Sequence, residues 1–193
     1  MKQKALASIS MIMISLTIVA GGLLRPSATP RPSDTDDDNI LAQLEGYRQW
    51  TLVNPVPVLM DRQAAIACGR YIGTDPNPNP HSTRYINVYV NQPGHDSMMT
   101  RRDPLFPQGS IIVKEKLPDP LVKTPELLTV MFKREQGYNP ESGDWEYLVL
   151  DGSASTIKAR GKLEKCNACH ISSKSSDYVE RSYLPKEIRQ KLQ

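Results

Sequence analysis

The chain of 193 residues is poor in several features that mark common protein classes. It has three cysteines, which is too few for the disulfide framework of a small secreted scaffold. Its 24 basic and 21 acidic residues leave a formal net charge of +3, and the basic residues are scattered along the chain. No methionine follows His170. The sequence therefore excludes a disulfide-stapled scaffold and lacks the basic surface of a nucleic-acid-binding protein.

The first residues have the pattern of a targeting segment. Residues 1–24 place Lys2 and Lys4 before a largely apolar run, with small residues near Ala20 where cleavage is expected. An uncleaved membrane anchor is the alternative, because about 20 mostly apolar residues approach the thickness of a bilayer core. Serines and threonines within the run weaken that alternative. We predict a periplasmic or otherwise exported protein, membrane-anchored if the segment is retained.

The rest of the chain divides into a short linker and one domain. Residues 25–38 are rich in proline, serine and aspartate, which predicts a disordered linker with too little apolar surface to offset its ordering entropy. Residues 39–193 have the length of a single domain with its own core.

A Cys-x-x-Cys-His run, formed by Cys166, Cys169 and His170, is the signature of covalent c-type haem attachment. Two thiols bond to the two vinyl groups of the haem, and the histidine binds the iron axially. A redox dithiol and a zinc site are the alternatives. A redox dithiol of the thioredoxin type stands near the start of a βαβ unit, whereas this run lies 23 residues from the C-terminus. A zinc site needs a second pair of ligands, and one further cysteine and two further histidines do not form an obvious pair. We predict one haem c with His170 as its axial ligand. Cys68 is expected to be a buried thiol, with a haem contact or an intermolecular disulfide as alternatives.

Alternating and β-branched residues predict a strand-rich domain of the α+β class. The predicted strands are residues 85–90, 110–116, 127–133 and 146–150, and the last two are expected to form an antiparallel hairpin. The predicted helices are residues 39–48, 176–183 and 185–191, with one or two further turns within 62–68 of a long loop over 55–80. We expect a mostly antiparallel sheet packed against N- and C-terminal helices, with the haem motif on a C-terminal helix.

This pattern excludes two helical cytochrome architectures. Small electron-transfer cytochromes carry the motif near the N-terminus and use a downstream methionine, which is absent after His170. Four-helix cytochromes need long 3.6-residue periodicity before the motif, and strands and prolines stand there instead.

The order of several short motifs resembles the cytochrome P-460 family, which includes the cytochromes c′-beta, over residues 47–184. The segments that carry the resemblance are residues 47–50, 86–90, 106–115 and 143–147, then the Cys-x-x-Cys-His run and Asp177-Tyr178-Val179. The resemblance implies an antiparallel sheet packed on helices, commonly a homodimer, and one haem with an open distal face. Members with a lysine-porphyrin bond oxidise hydroxylamine, whereas the c′-beta proteins bind nitric oxide or carbon monoxide in a phenylalanine-lined pocket.

The resemblance places the family's lysine on Lys114, either cross-linked to the haem or in the distal pocket; a solvated strand lysine is the alternative. Tyr85 and Tyr89 are further candidates for distal contacts, while Phe132 is expected in the core. Arg84 either donates a hydrogen bond to a bound ligand or is a surface arginine. Glu135 and Glu146 are expected to be solvated. Glu164 is the only acidic residue just before the motif. Candidates for a second axial ligand are His81, His95, Met98, Met99 and Met131, although Met131 is better explained as strand core.

These observations favour an exported mono-haem c-type cytochrome whose open distal site binds or oxidises small nitrogen species such as hydroxylamine or nitric oxide, with a redox protein as partner. The alternative is a six-coordinate electron-transfer cytochrome c without substrate chemistry. A third hypothesis is an anchored haem module that senses a ligand or binds a partner at the envelope.

Overall fold

The structure is a computed structural model that describes residues 32–60 and 84–192. The described helices are α1 (Pro32–Leu44), α2 (His95–Met99), α3 (Glu164–His170) and α4 (Lys186–Lys191). The described strands are β1 (Thr51–Leu52), β2 (Val58–Leu59), β3 (Tyr85–Val90), β4 (Ile111–Leu117), β5 (Leu127–Lys133), β6 (Trp145–Asp151) and β7 (Ile157–Gly161). Short 3-10 helices span Tyr47–Gln49, Pro140–Ser142 and Ile171–Ser176.

The seven described strands form one sheet in which every pairing is antiparallel. The strand order is β1-β3-β4-β5-β6-β7, and β2 also pairs with β3, so two short strands share the same edge. The long strands β3 to β6 follow one another as neighbours, because short turns suit antiparallel pairing. This meander gives the sheet two broad faces that alternate residues must cover.

Each face of the sheet packs against a different part of the chain. The "motif face" is the one that carries Val88, Ile112, Met131 and Tyr147, and it packs against the segment after α3, including Tyr178, Val179 and Leu184. The "α1 face" carries Tyr89, Val113, Val130 and Leu148, and it packs against Ile40 and Leu44 of α1. Alternation along each strand therefore separates two apolar cores.

The α+β fold and the helices at both ends are confirmed. Strands β3 and β5 have the predicted bounds, β4 and β6 differ by one residue at their ends, and β5 and β6 form the predicted hairpin. The final helix is confirmed as α4. Strands β1, β2 and β7 were not predicted: the first two are only two residues long, and β7 alternates weakly apolar residues with basic ones.

Two helix boundaries differ from the prediction. Helix α1 begins at Pro32, so residues 32–38, assigned to a disordered linker, are helical. Arg160 explains this difference, because its guanidinium pairs with Asp36 and Asp37 and docks the acidic turn on the domain. The helix predicted over residues 176–183 is wrong, since Asp177 and Tyr178 both adopt left-handed backbone conformations that end a helix. The predicted turns within 62–68 lie outside the described residues.

Candidate haem site

Helix α3 brings the two cysteines and the histidine of the motif together. Cys166 precedes Cys169 by three residues and His170 by four, so all three lie within little more than one helical turn. Both sulfurs are thiols, with Cys166 partly buried against the motif-face core and Cys169 exposed. The helix therefore carries two thiols and an imidazole within a short stretch of backbone.

One nitrogen of the His170 ring is already occupied by the protein. Its Nδ1 lies 2.7 Å from the backbone oxygen of Tyr178. Because a carbonyl oxygen only accepts hydrogen bonds, Nδ1 must carry the proton and donate it. Burial among protein atoms and, second, the positive charge of Lys114 together lower the pKa of His170 to about 4. The imidazole is therefore neutral near pH 7, with Nε2 left as the ring nitrogen that can bind a metal.

The acceptor carbonyl belongs to an unusual turn after α3. Asp177 and Tyr178 have φ values of 53° and 64°, and two successive left-handed residues without glycine cost on the order of 1–3 kcal/mol each. Side-chain contacts hold this turn. Asp177 Oδ2 accepts hydrogen bonds from Lys133 Nζ at 2.6 Å and from the Phe106 backbone N–H at 2.8 Å. The indole nitrogen of Trp145 donates to the Asp177 backbone oxygen at 2.7 Å.

The hairpin between β5 and β6 also fixes α3. Ser142 donates from its hydroxyl to Asn167 Oδ1 at 2.8 Å, and Asn167 stands between the two motif cysteines. The next residue, Gly143, has φ 63°, and a Cβ there would lie 2.7 Å from both Asp177 Oδ1 and the Tyr178 ring. Only glycine fits this approach without displacing the turn. The hairpin thus contacts the motif helix and the segment after it.

Tyr147 of β6 leaves an unsatisfied polar atom beside the motif. Its ring centroid lies 5.3 Å from that of His170. Its hydroxyl is buried and has no hydrogen-bond partner in the structure as described. Burial raises the pKa of Tyr147, and nearby Ser142 acts in the opposite direction although its own proton is directed at Asn167. An orphaned buried hydroxyl costs on the order of 1–3 kcal/mol, so this position fits an additional polar group.

Lys114 lies on the motif face of the sheet. In β4 it pairs with Val88 of β3 and Thr129 of β5, and its side chain is partly exposed. Its positive charge lowers the pKa of His170. The structure therefore brings Lys114 to the same side of the sheet as Cys166, Cys169 and His170. Its side chain is partly exposed on that face, so the contact with haem and the solvated strand lysine both stay predictions.

Several other candidates lie away from the motif or are engaged elsewhere. Tyr85 and Tyr89 alternate onto the α1 face, where Tyr89 packs edge-to-face with Tyr47 at 5.4 Å, so their predicted distal role is wrong. Arg84 pairs with Glu126 at 2.7 Å. Phe132 lies in the α1-face core, as predicted.

The prediction for Glu146 is also wrong. Glu146 is 2% exposed and accepts hydrogen bonds from Arg134 and Arg160, whereas its hairpin neighbour Glu135 is exposed as predicted. No local signal marks this burial, because Arg160 comes from a strand that was not predicted.

The candidates for a second axial ligand have other surroundings. Met98 and Met131 are buried in the motif-face core, which confirms Met131 as strand core, and Met99 packs against the same core. His95 directs Nδ1 at Asp96 at 3.0 Å. His81 and Cys68 lie outside the described residues. Glu164 is exposed in the first turn of α3.

Four residues beside the motif were not predicted as residues of the site: Lys133, Ser142, Trp145 and Tyr147. Trp145, Tyr147 and Asp177 appeared only within segments that carried the family resemblance. A lysine on the apolar β5 strand was the available signal for Lys133, since it shares the motif face with Met131. The partner of that lysine was not readable, because Asp177 lies far away in sequence.

The residues present fit a haem. Two adjacent thiols, a neutral imidazole with one open nitrogen and an unsatisfied buried hydroxyl lie on one face of an antiparallel sheet. This arrangement is that of a haem-binding protein. The family model described as Cytochrome P460 matches residues 44–180, which is more than half of the chain. The chain therefore belongs to the cytochrome P460 family, and this membership implies a haem cofactor. No curated protein matches the sequence.

Proposed function

We propose that this chain is an exported mono-haem c-type cytochrome whose open distal site binds or oxidises small nitrogen species, with hydroxylamine and nitric oxide as the leading candidates. The haem is attached through Cys166 and Cys169, and His170 binds its iron. The observation that carries the proposal is the hydrogen bond from His170 Nδ1 to the Tyr178 carbonyl, because it leaves Nε2 available beside two thiols.

The protein residues have separate tasks in this proposal. Cys166 and Cys169 hold the porphyrin, and His170 is oriented by the Tyr178 carbonyl, a bond that also increases the basicity of the ring. When bound, the haem supplies the ligand binding and redox chemistry. Tyr147 packs beside His170 and offers a buried hydroxyl to a polar group of the bound cofactor or its surroundings.

Lys114 is the residue on which the choice between ligand binding and oxidation depends. Its position on the motif face and its charge near His170 support a place next to the haem. The proposal includes Lys114 either as a haem cross-link or as a lining residue of the ligand pocket. A cross-linked lysine would favour hydroxylamine oxidation, and a lysine without that bond would favour reversible gas binding.

Export and partners rest on the sequence. Residues 1–24 have the pattern of a signal segment, and covalent haem attachment takes place outside the cytoplasm. Along residues 32–60 and 84–192, none of the helices has the length and apolar character to cross a bilayer. A soluble redox protein would accept the electrons, and a homodimer is the expected assembly. Cell fractionation with a high-salt wash distinguishes a released protein from a membrane-anchored one.

An optical spectrum of the purified, reduced protein tests the central proposal. We expect a five-coordinate ferrous haem that binds nitric oxide or carbon monoxide. A six-coordinate, low-spin spectrum without added ligand would support the electron-transfer alternative and overturn the open distal site. Reduction of an added cytochrome acceptor by hydroxylamine then tests oxidation directly.

Mass analysis of tryptic peptides tests Lys114 separately. A cross-link would join the peptide containing Lys114 to the haem peptide, and Lys114→Met would remove that joined species. Lys123→Met is the matched control, because Lys123 is exposed in the loop between β4 and β5. A haem held only through Cys166 and Cys169, with unchanged hydroxylamine oxidation in Lys114→Met, would exclude Lys114 from the reaction.

A further inference from the structure

The carbonyl group that orients His170 is itself held by a buried ion pair from another part of the fold. We propose that Asp177, through its pairing with Lys133, is a positioning residue that fixes the Tyr178 carbonyl and thereby tunes the His170 ligand. The inference rests on the proposed function, in which His170 binds the haem iron.

The Asp177 side chain is held by two hydrogen bonds from other parts of the fold. Its Oδ2 accepts from Lys133 Nζ at 2.6 Å and from the Phe106 backbone N–H at 2.8 Å. Both charged side chains are nearly inaccessible, at 9% exposed for Lys133 and 6% for Asp177. Charge-assisted hydrogen bonds are short and strong, and solvent screens a buried pair only weakly. The turn after α3 is therefore attached to the end of β5 and to the segment before β4.

The peptide group between Asp177 and Tyr178 is also held in place. Its carbonyl oxygen accepts from Trp145 Nε1 at 2.7 Å, and its N–H donates to the Ser173 oxygen at 2.8 Å. Both polar atoms of this peptide are thus engaged. The close approach of Gly143 leaves no room for the turn to shift toward the hairpin. The next carbonyl, that of Tyr178, consequently has a fixed direction toward His170 Nδ1.

The hydrogen bond between His170 Nδ1 and the Tyr178 carbonyl affects how strongly His170 binds iron. A metal-bound histidine that donates its second N–H to a well-placed acceptor becomes a more basic ligand. A more basic ligand stabilises ferric relative to ferrous iron, so it lowers the midpoint potential. Loosening the Asp177 turn should weaken the hydrogen bond at Tyr178 and raise the potential. Neither Asp177 nor Lys133 needs to touch the haem for this effect.

The test uses Asp177→Asn in the full, haem-loaded protein. Asparagine keeps the volume and can still accept from the Phe106 N–H, but it cannot pair with the Lys133 charge. We expect the reduction equilibrium constant to rise by up to about tenfold, which is about 59 mV for a one-electron couple. The iron–histidine stretching band of the ferrous protein, measured by resonance Raman, should move to lower frequency.

A second variant guards against poor folding of the first. Trp145→Phe removes the donor to the Asp177 carbonyl without burying an uncompensated charge, and it should shift both readouts in the same direction by a smaller amount. Glu115→Gln is the matched control: it neutralises another buried carboxylate, but on the α1 face. We expect this control to lower the unfolding midpoint and to leave the potential and the band unchanged.

The outcomes separate this inference from the proposed function. If Asp177→Asn or, where that variant does not fold, Trp145→Phe shifts the potential and the band no more than Glu115→Gln, the positioning role is overturned. His170→Gly tests the underlying assignment. Its iron–histidine band should disappear; a band that persists would overturn His170 as the ligand and with it the proposed function, whatever Asp177 does.

Discussion

Two buried polar groups on opposite faces of the sheet differ in their hydrogen-bond partners. On the α1 face, the buried Glu115 accepts hydrogen bonds from Tyr47 at 2.7 Å, Arg48 at 2.7 Å and Asn87 at 3.1 Å. On the motif face, Tyr147 keeps a buried hydroxyl without a partner in the described structure, and Cys169 is exposed. Glu115 is therefore completed by residues of the chain, whereas the Tyr147 hydroxyl fits an additional polar group.

A second buried polar cluster on the α1 face is centred on Glu146. Glu146 is 2% exposed. Arg134, which directly follows β5, and Arg160 of β7 both donate hydrogen bonds to its carboxylate. Burial raises the pKa of Tyr47, and its hydrogen bond to Glu115 acts in the same direction, so Tyr47 stays a neutral donor at physiological pH. Such carboxylates hold the structure together and need no ligand. Buried charge alone therefore does not mark a functional site in this protein.

The largest expected effect comes from removing both thiols. Cys166→Ser together with Cys169→Ser should abolish haem that survives denaturing electrophoresis, because no thioether can form. Hydrogen exchange should increase in α3 and the turn at Asp177, while β3 and α1 keep their protection. Cys68→Ser is the control and should retain stable haem. Retention of covalent haem in the double variant would end the c-type assignment.

Glu146→Ala tests the stability of the α1 face. It leaves Arg134 and Arg160 without their shared carboxylate, and we expect the free energy of unfolding to fall by about 2–3 kcal/mol. Urea denaturation measures the loss, and the optical spectrum of the haem should not change. Glu135→Ala, an exposed glutamate near the same hairpin, should cost less than about 0.5 kcal/mol. Similar losses in both variants would refute the buried network.

A pair of glycines tests the close packing on the motif face. Gly143→Ala should destabilise by about 2 kcal/mol and disturb the haem spectrum, because its Cβ would lie 2.7 Å from Asp177 Oδ1 at a φ of 63°. Gly137→Ala shares the positive φ, at 93°, but a Cβ there meets nothing within 4 Å. It should cost about 1 kcal/mol and leave the spectrum intact. Equal spectra for the two variants would contradict the contact.

The smallest expected effect lies in the β6–β7 turn beside the α1 face. Desolvation raises the pKa of Asp151, but hydrogen bonds from Ser153, Ser155 and Thr156 outweigh it and hold the pKa below its usual value. Stability from this lowered pKa is present above the unfolded value near 3.8 and is lost as the pH falls through the folded pKa. Because solvent screens this largely exposed carboxylate, Asp151→Asn should cost only a few tenths of a kcal/mol (roughly 0.3) at pH 7 and less than that at pH 2, by urea denaturation. A cost that is equal at both pH values would rule out the ionised carboxylate as the acceptor.

Local patterns predicted some parts of this molecule well. The β-branched runs of β3 and β5 and the turn residues between β5 and β6 are strong local signals, and the spacing of Cys166, Cys169 and His170 is a local signal that predicts the haem site. Other parts depend on remote partners. The start of α1 depends on Arg160, and the turn at Asp177 depends on Lys133 and Trp145. No local window of sequence contains either set of contacts.

The ion pairs between α1 and Arg160 also determine where a pulling force would act on the domain. Asp36 and Asp37 join the first described helix to β7, the strand that leads within a few residues into α3. Tension applied at the amino-terminal end of the domain would load these ion pairs first, across the face opposite the motif. A pull at that end would therefore enter the sheet on the face that packs against α1 rather than on the face that carries Cys166 and His170.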